Sequence, residues 1–214
     1  MNTAFLLLFL LRNGASAPRP TSVRVAFSPL TKAAYMQALK GKIAFTPRVT
    51  FPLKKQQGRL VIPSTKGPHV FRDGWVDGER DEDTQYKYLG YWPELRWHLV
   101  EGYHFSEVYR LNALTQNGQW LRLEDSPAIS PDTSQFVVAS GALDGIGTPT
   151  IQLFQRKEGA WQQVWKVESR SWQVEEVEWV AANALVLQQK HWNKTFSRAW
   201  YTYARLTIQD QTKN

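Results

Sequence analysis

Between residues 49 and 208, apolar, β-branched and aromatic residues come in strand-length runs broken by turn signals, and no helix-length run stands between them. Runs at 86–91, 97–100 and 107–111 follow one another closely. Asn117-Gly118, a tight-turn pair, separates 109–111 from 120–123. Lys157-Glu158-Gly159 lies inside a hairpin formed by 151–155 and 161–167, and Ala182-Asn183 sits between 177–180 and 184–188. Residues 200–208 alternate and end the pattern. Such even spacing argues against a parallel α/β fold. It predicts an all-β chain: an antiparallel meander, propeller-blade-like or partly open. The 10 Trp, 10 Phe and 8 Tyr suit a pleated, half-buried surface.

Charge is divided unevenly along the chain. The first acidic residue is Asp73; before it stand 12 Lys and Arg. The remaining 142 residues carry 14 bases and 19 acids. A basic segment and a slightly acidic body follow from this, and we expect a single β domain over 49–210 preceded by a basic arm over 18–48. In the arm, 18–31 holds three prolines and reads as a linker or extended segment. Thr31 can cap a short helix, KAAYMQALKGK, with Tyr35, Ala38 and Leu39 on one face and Gly41 as its stop. The arm can bind anionic envelope polymers or lipid headgroups, or lie against the acidic body of its own chain.

Next, 49–53 and 59–62 flank the polar turn 54–58 and read as a hairpin, with Pro52 marking an edge. Val70-Phe71 reads as a further short strand, and 73–84 as a polar loop carrying six acids.

The apolar run AFLLLFLL over 4–11, ending at Ala15-Ser16-Ala17, reads as a signal peptide over 1–17. It lacks a basic residue in Met1-Asn2-Thr3, which a start upstream of Met1 would supply. Export places the protein in the periplasm or outside the cell. No stretch reaches the roughly 20 apolar residues of a membrane-spanning helix. With no cysteine, disulfides, thiolate metal sites and Cys nucleophiles are excluded.

Ser130-Pro131-Asp132 leads into the strand 135–140. This resembles the Ser-Pro-Asp-Gly strand signature of bacterial β-propeller repeats, as in periplasmic Tol-type propellers, with Thr133 where the glycine usually stands. The resemblance implies a tight turn followed by the inner strand of a blade. One such signature occurs, and the body has room for about three blades of roughly 40 residues, short of a closed ring. More widely, Tyr88-Leu89-Gly90-Tyr91, Val100-Glu101-Gly102-Tyr103, Glu107 to Leu111, Ser130-Pro131-Asp132 and Gly147 to Phe154 follow one order. Over about 49–208 this looks like a group of uncharacterised exported β proteins of Bacteroidetes and related bacteria. In that group Pro-Asn-Gly precedes the strand at Ile151, where this chain has Gly147-Thr148-Pro149-Thr150. The resemblance implies an exported β protein and carries no activity.

Motifs for chemistry are sparse. His69, His98, His104 and His191 have no zinc-ligand spacing. Gly141, Gly145 and Gly147 precede a strand rather than a helix, so they form no phosphate loop. The acids Asp73, Asp77, Glu79, Asp81, Glu82 and Asp83 lack a calcium-loop spacing. Asn193-Lys194-Thr195 matches a glycosylation acceptor, relevant in a eukaryotic secretory route. We expect no cofactor, no resident metal and no catalysis. The expected role is binding or interaction in the cell envelope, with a protein or a cell-envelope polysaccharide as partner and no nucleic acid. Tyr91, Trp92 and Trp97 around Pro93 are the candidate binding aromatics; the competing reading is that they pack the core. A carbohydrate-binding or glycoside-hydrolase-like role, with Trp, Tyr and paired carboxylates, is the alternative. Open sheet edges invite a homodimer.

Overall fold

The structure is a computed structural model that describes residues 23–43, 45–105, 107–141 and 148–210. The expected signal peptide, the start of the arm, Gly145 and Gly147 lie outside the described residues. Strand β1 (Val23–Leu30) and helix α1 (Lys32–Leu39) come first. Then follow β2 (Arg59–Ile62), β3 (His69–Arg72), β4 (Trp75–Val76) and β5 (Glu79–Arg80). The body contains β6 (Thr84–Trp92), β7 (Trp97–His104), β8 (Glu107–Thr115), β9 (Trp120–Leu123), β10 (Ala128–Ile129), β11 (Gln135–Ser140), β12 (Thr150–Lys157) and β13 (Ala160–Glu168). It ends with β14 (Gln173–Ala181), β15 (Ala184–Trp192) and β16 (Ala199–Asp210).

Three four-stranded sheets result, ordered β6-β7-β8-β9, β10-β11-β12-β13 and β1-β16-β15-β14, beside the two-stranded sheets β2-β3 and β4-β5. Their pairings are antiparallel, and among the described residues none of the sheets closes. The all-β reading with one short helix therefore holds.

Tight turns set the register. Glu158 and Gly159 both take positive φ (52° and 79°) between the paired Lys157 and Ala160, the geometry that matches strand twist. At the Ser-Pro-Asp turn, Asp132 accepts from the Ser130 and Ser134 hydroxyls at 2.6 and 2.8 Å, and the Gln135 amide donates to Ser130 Oγ at 3.0 Å. The turn joins β10 to β11, and the strand after it is second in its sheet.

Side-chain alternation divides the interior into three cores. Leu60, Ile62 and Phe71 of β2-β3 face Tyr86, Val100 and Leu114. On the other side of the β6–β9 sheet, Trp97, Leu99, Ala113 and Leu121 face Phe136, Val138 and Trp161. Val137, Ile151 and Leu153 then face Trp179, Leu185, Leu187 and Leu206 of the last sheet. Strands β7 and β11 are covered on both faces, which accounts for their continuous apolar runs.

Two expectations are corrected. Residues 23–30 are not a linker: β1 pairs with β16 along its whole length, from Val23↔Asp210 to Leu30↔Tyr203. Val23 and Val25 pack into the last core, and Pro29 is tolerated because β1 is an edge strand. The second correction is the hairpin: β2 pairs with β3, not with 49–53. This pairing brings Leu60, Ile62 and Phe71 into one core. Thr50 instead bridges Tyr91 through two backbone bonds of 3.0 and 2.7 Å. There Gly90 (φ 117°) meets 49–51 so closely that a Cβ would stand 2.5 Å from Val49 Cγ1.

Helix α1 forms as expected. The Thr31 hydroxyl accepts from Ala34 N at 3.1 Å, and Tyr35 is buried. Its basic neighbourhood rests on the body's acids: the Tyr35 hydroxyl donates to Glu176 at 2.8 Å, and Lys42 pairs with Glu178.

Candidate functional site

The three sequence-selected aromatics separate in the fold. Trp97 is wholly buried, against Phe136 and Trp161 with ring centroids 5.2 and 5.3 Å away. It is a core residue, because β7 is covered on both faces, and it presents no surface to a ligand. Trp92 is half-buried and stacked on Trp97 at 6.4 Å. Tyr91 is half-buried against His98 at 4.6 Å. The side chains that line the main groove are others.

That groove, of about 820 Å³, runs along the outer edge of β6. Phe51 stands in it 65% exposed, edge-on to Tyr88 at 6.2 Å. Tyr86 and Tyr103 add aromatic wall, and Lys54, Lys55 and Lys87 add cations. Lys55 is spoken for: it donates to Asp73 Oδ2 and to the Tyr86 carbonyl, both at 2.7 Å. Among the described residues, Lys54 and Lys87 have no acidic partner. Among the described residues that line the groove, Asp83 is the one carboxylate.

The edge is occupied at Thr84, Tyr86 and Tyr91. Asp73 Oδ1 accepts from the Tyr86 amide at 2.8 Å while Lys55 holds its carbonyl. The Thr84 carbonyl accepts from Gly74, and Tyr91 is bridged to Thr50. The loop of acids thus serves to cap β6, and the basic segment supplies its counter-ion.

Burial lies behind the shifts around the groove. Tyr88 is pushed up to about 12, by burial and then by Tyr91. His98, 2.8 Å from the Tyr88 hydroxyl, is held below its ordinary value by burial. Both are neutral at pH 7 and form a structural pair beneath the groove.

Beside it lies a second hollow of about 540 Å³. His69 and Phe71 stand edge-on to Trp120 at 4.3 and 5.7 Å, Arg122 lies over the Trp120 ring at 4.2 Å, and Arg72 over Trp75 at 4.7 Å. Burial, then Arg122, lowers the His69 value. Asp77 pairs with Arg122, whereas Arg72 meets the Trp75 ring.

Asp81, Asp83 and His104 bring ligand atoms within 4.8 Å of one another, a set that linear spacing hid because β6-β7 pairing supplies the histidine. Asp81 is already engaged by the Thr84 hydroxyl at 2.9 Å and by His104 at 3.5 Å. The two carboxylates belong to one turn rather than to opposing walls of a cleft.

Among the described residues no helix is long and apolar enough to cross a membrane. No protein-family model matches the chain, and no curated protein or solved structure is significantly similar to it. Fold and groove define an open, multi-sheet antiparallel β protein.

Proposed function

We propose that this protein is an exported, non-catalytic binding module of the cell envelope, of the kind its Ser-Pro-Asp strand resembles. Its ligand is an anionic polysaccharide segment lying in the β6 groove. The observation that carries the reading is the pairing of the exposed Phe51 ring with Lys54 and Lys87 in one open groove. Aromatic faces stack on sugar rings, and the free ammonium groups match acidic substituents. A protein partner that adds a strand is disfavoured, because side chains already satisfy the outward groups of Tyr86.

Titration calorimetry with a uronic-acid oligosaccharide and its neutral analogue tests this. Binding of the acidic form alone is expected, weakening as salt rises. Phe51→Ala weakens it about tenfold, and Lys54→Gln with Lys87→Gln flattens the salt dependence. No binding, or equal binding of the neutral sugar, would discard the proposal.

A further inference from the structure

The β15–β16 hairpin runs past both of its neighbours. Pairing with β14 ends at Gln173↔Lys190, and pairing with β1 ends at Leu30↔Tyr203. Beyond these, His191↔Trp200 and Trp192↔Ala199 form a two-stranded ribbon. Its loop is ordered by its own bonds: Asn193 Oδ1 accepts from the Ser197 and Arg198 amides at 2.9 and 3.2 Å. The Phe196 amide donates to the Asn193 carbonyl at 3.0 Å.

This ribbon is aromatic where a surface is normally polar. Phe196, Trp200 and Tyr201 are 50, 47 and 43% exposed. Because cross-strand partners share a face and neighbours alternate, Trp200 and His191, stacked at 5.3 Å, lie on one face. Trp192 and Tyr201 lie on the other. The charge is one-signed: no Asp or Glu occurs over 179–209, which holds Lys190, Lys194, Arg198 and Arg205. Lys190 pairs with Glu175 at 3.5 Å, whereas among the described residues Lys194 and Arg198 have no acidic partner.

We propose that this hairpin tip docks on an anionic lipid surface. Trp, Tyr and Phe rings settle at the headgroup boundary, and flanking Lys and Arg meet lipid phosphates and other anionic headgroups. Rings on both faces favour this partner over a soluble polymer. A polymer stacks against one face, whereas a lipid interface surrounds the tip. The site is remote in sequence from the groove residues and does not rest on the groove's ligand.

Sedimentation of the full chain with vesicles tests it, comparing phosphatidylglycerol mixed into phosphatidylcholine with phosphatidylcholine alone. Pelleting with the anionic vesicles is expected. Lys194→Gln with Arg198→Gln lowers partitioning about 25-fold, about fivefold per base, the factor that ~1 kcal/mol represents. Phe196→Ser with Trp200→Ser removes binding even at low salt, while the thermal midpoint, read in parallel, stays within a few degrees. Lys54→Gln with Lys87→Gln leaves vesicle binding unchanged. Equal pelleting with both vesicle types, no pelleting with either, capture by soluble polygalacturonate or nucleic acid but not by vesicles, or indifference to the tip substitutions would each overturn the proposal.

Discussion

Thr133 has a φ of 58°, where a β-branched side chain crowds its own backbone. It occupies the glycine place of the Ser-Pro-Asp turn, and Asp132 holds that turn regardless. Burial opposes ionisation of Asp132, but hydrogen bonds from Ser130 and Ser134 outweigh it and leave the carboxyl below 3.8. Relief of the strain in Thr133→Gly is expected to stabilise the protein by about 1 kcal/mol. Thermal melting would show a rise of roughly 2–4 °C; an unchanged or lower midpoint would mean that the threonine is not strained. Tyr91, Trp92 and Trp97 make the complementary point. Their sequence neighbourhood and chemistry are alike, yet β7 pairing and the facing sheet bury Trp97, while the other two remain half-buried at the sheet margin. Residue type alone carries no information about which face has a partner.

The elements divide by how local their causes are. Helix α1 was legible because its cap and its stop lie within the segment, and the hairpins around Glu158-Gly159 and Asn117-Gly118 were legible for the same reason. Strand β1 was not. Three prolines obscure 18–31, and its partner β16 lies over 170 residues away. Its role predicts a clear outcome. A chain beginning at Val49 loses Val23 and Val25 from the last core, loses Tyr35 from Glu176, and bares the β16 edge. Chemical denaturation should show a large fall in stability, and sedimentation should show self-association through that edge. A monomer of undiminished stability would contradict the strand's assigned role.

The stacked sheets and separate cores bury histidines in a way that makes the whole molecule sensitive to mild acid. His69 and His98 are both held below 6.5 in the folded state, chiefly by burial. The unfolded chain therefore takes up protons first, and stability rises with pH through this range. Stability should be full above about pH 6.5 and fall as pH drops from there through the folded-state values. Melting curves from pH 7.5 to 5 check this, and His69→Gln with His98→Gln should flatten the slope. A flat profile for the unaltered protein would refute it. Charge segregation is resolved at this scale too, since Lys42 meets Glu178 and Lys55 meets Asp73.

What the chain determined unaided is the β class, the short capped helix and the turns at 117–118, 158–159 and 182–183, because alternation and turn chemistry act over a few residues. Tertiary structure alone decided that 23–30 completes the last sheet, that Trp97 is core, that Phe51 with Lys54 and Lys87 forms a groove, and that 191–200 runs on as a two-stranded ribbon. Each depends on which strand pairs with which and where pairing stops, and those contacts join residues that no local pattern links.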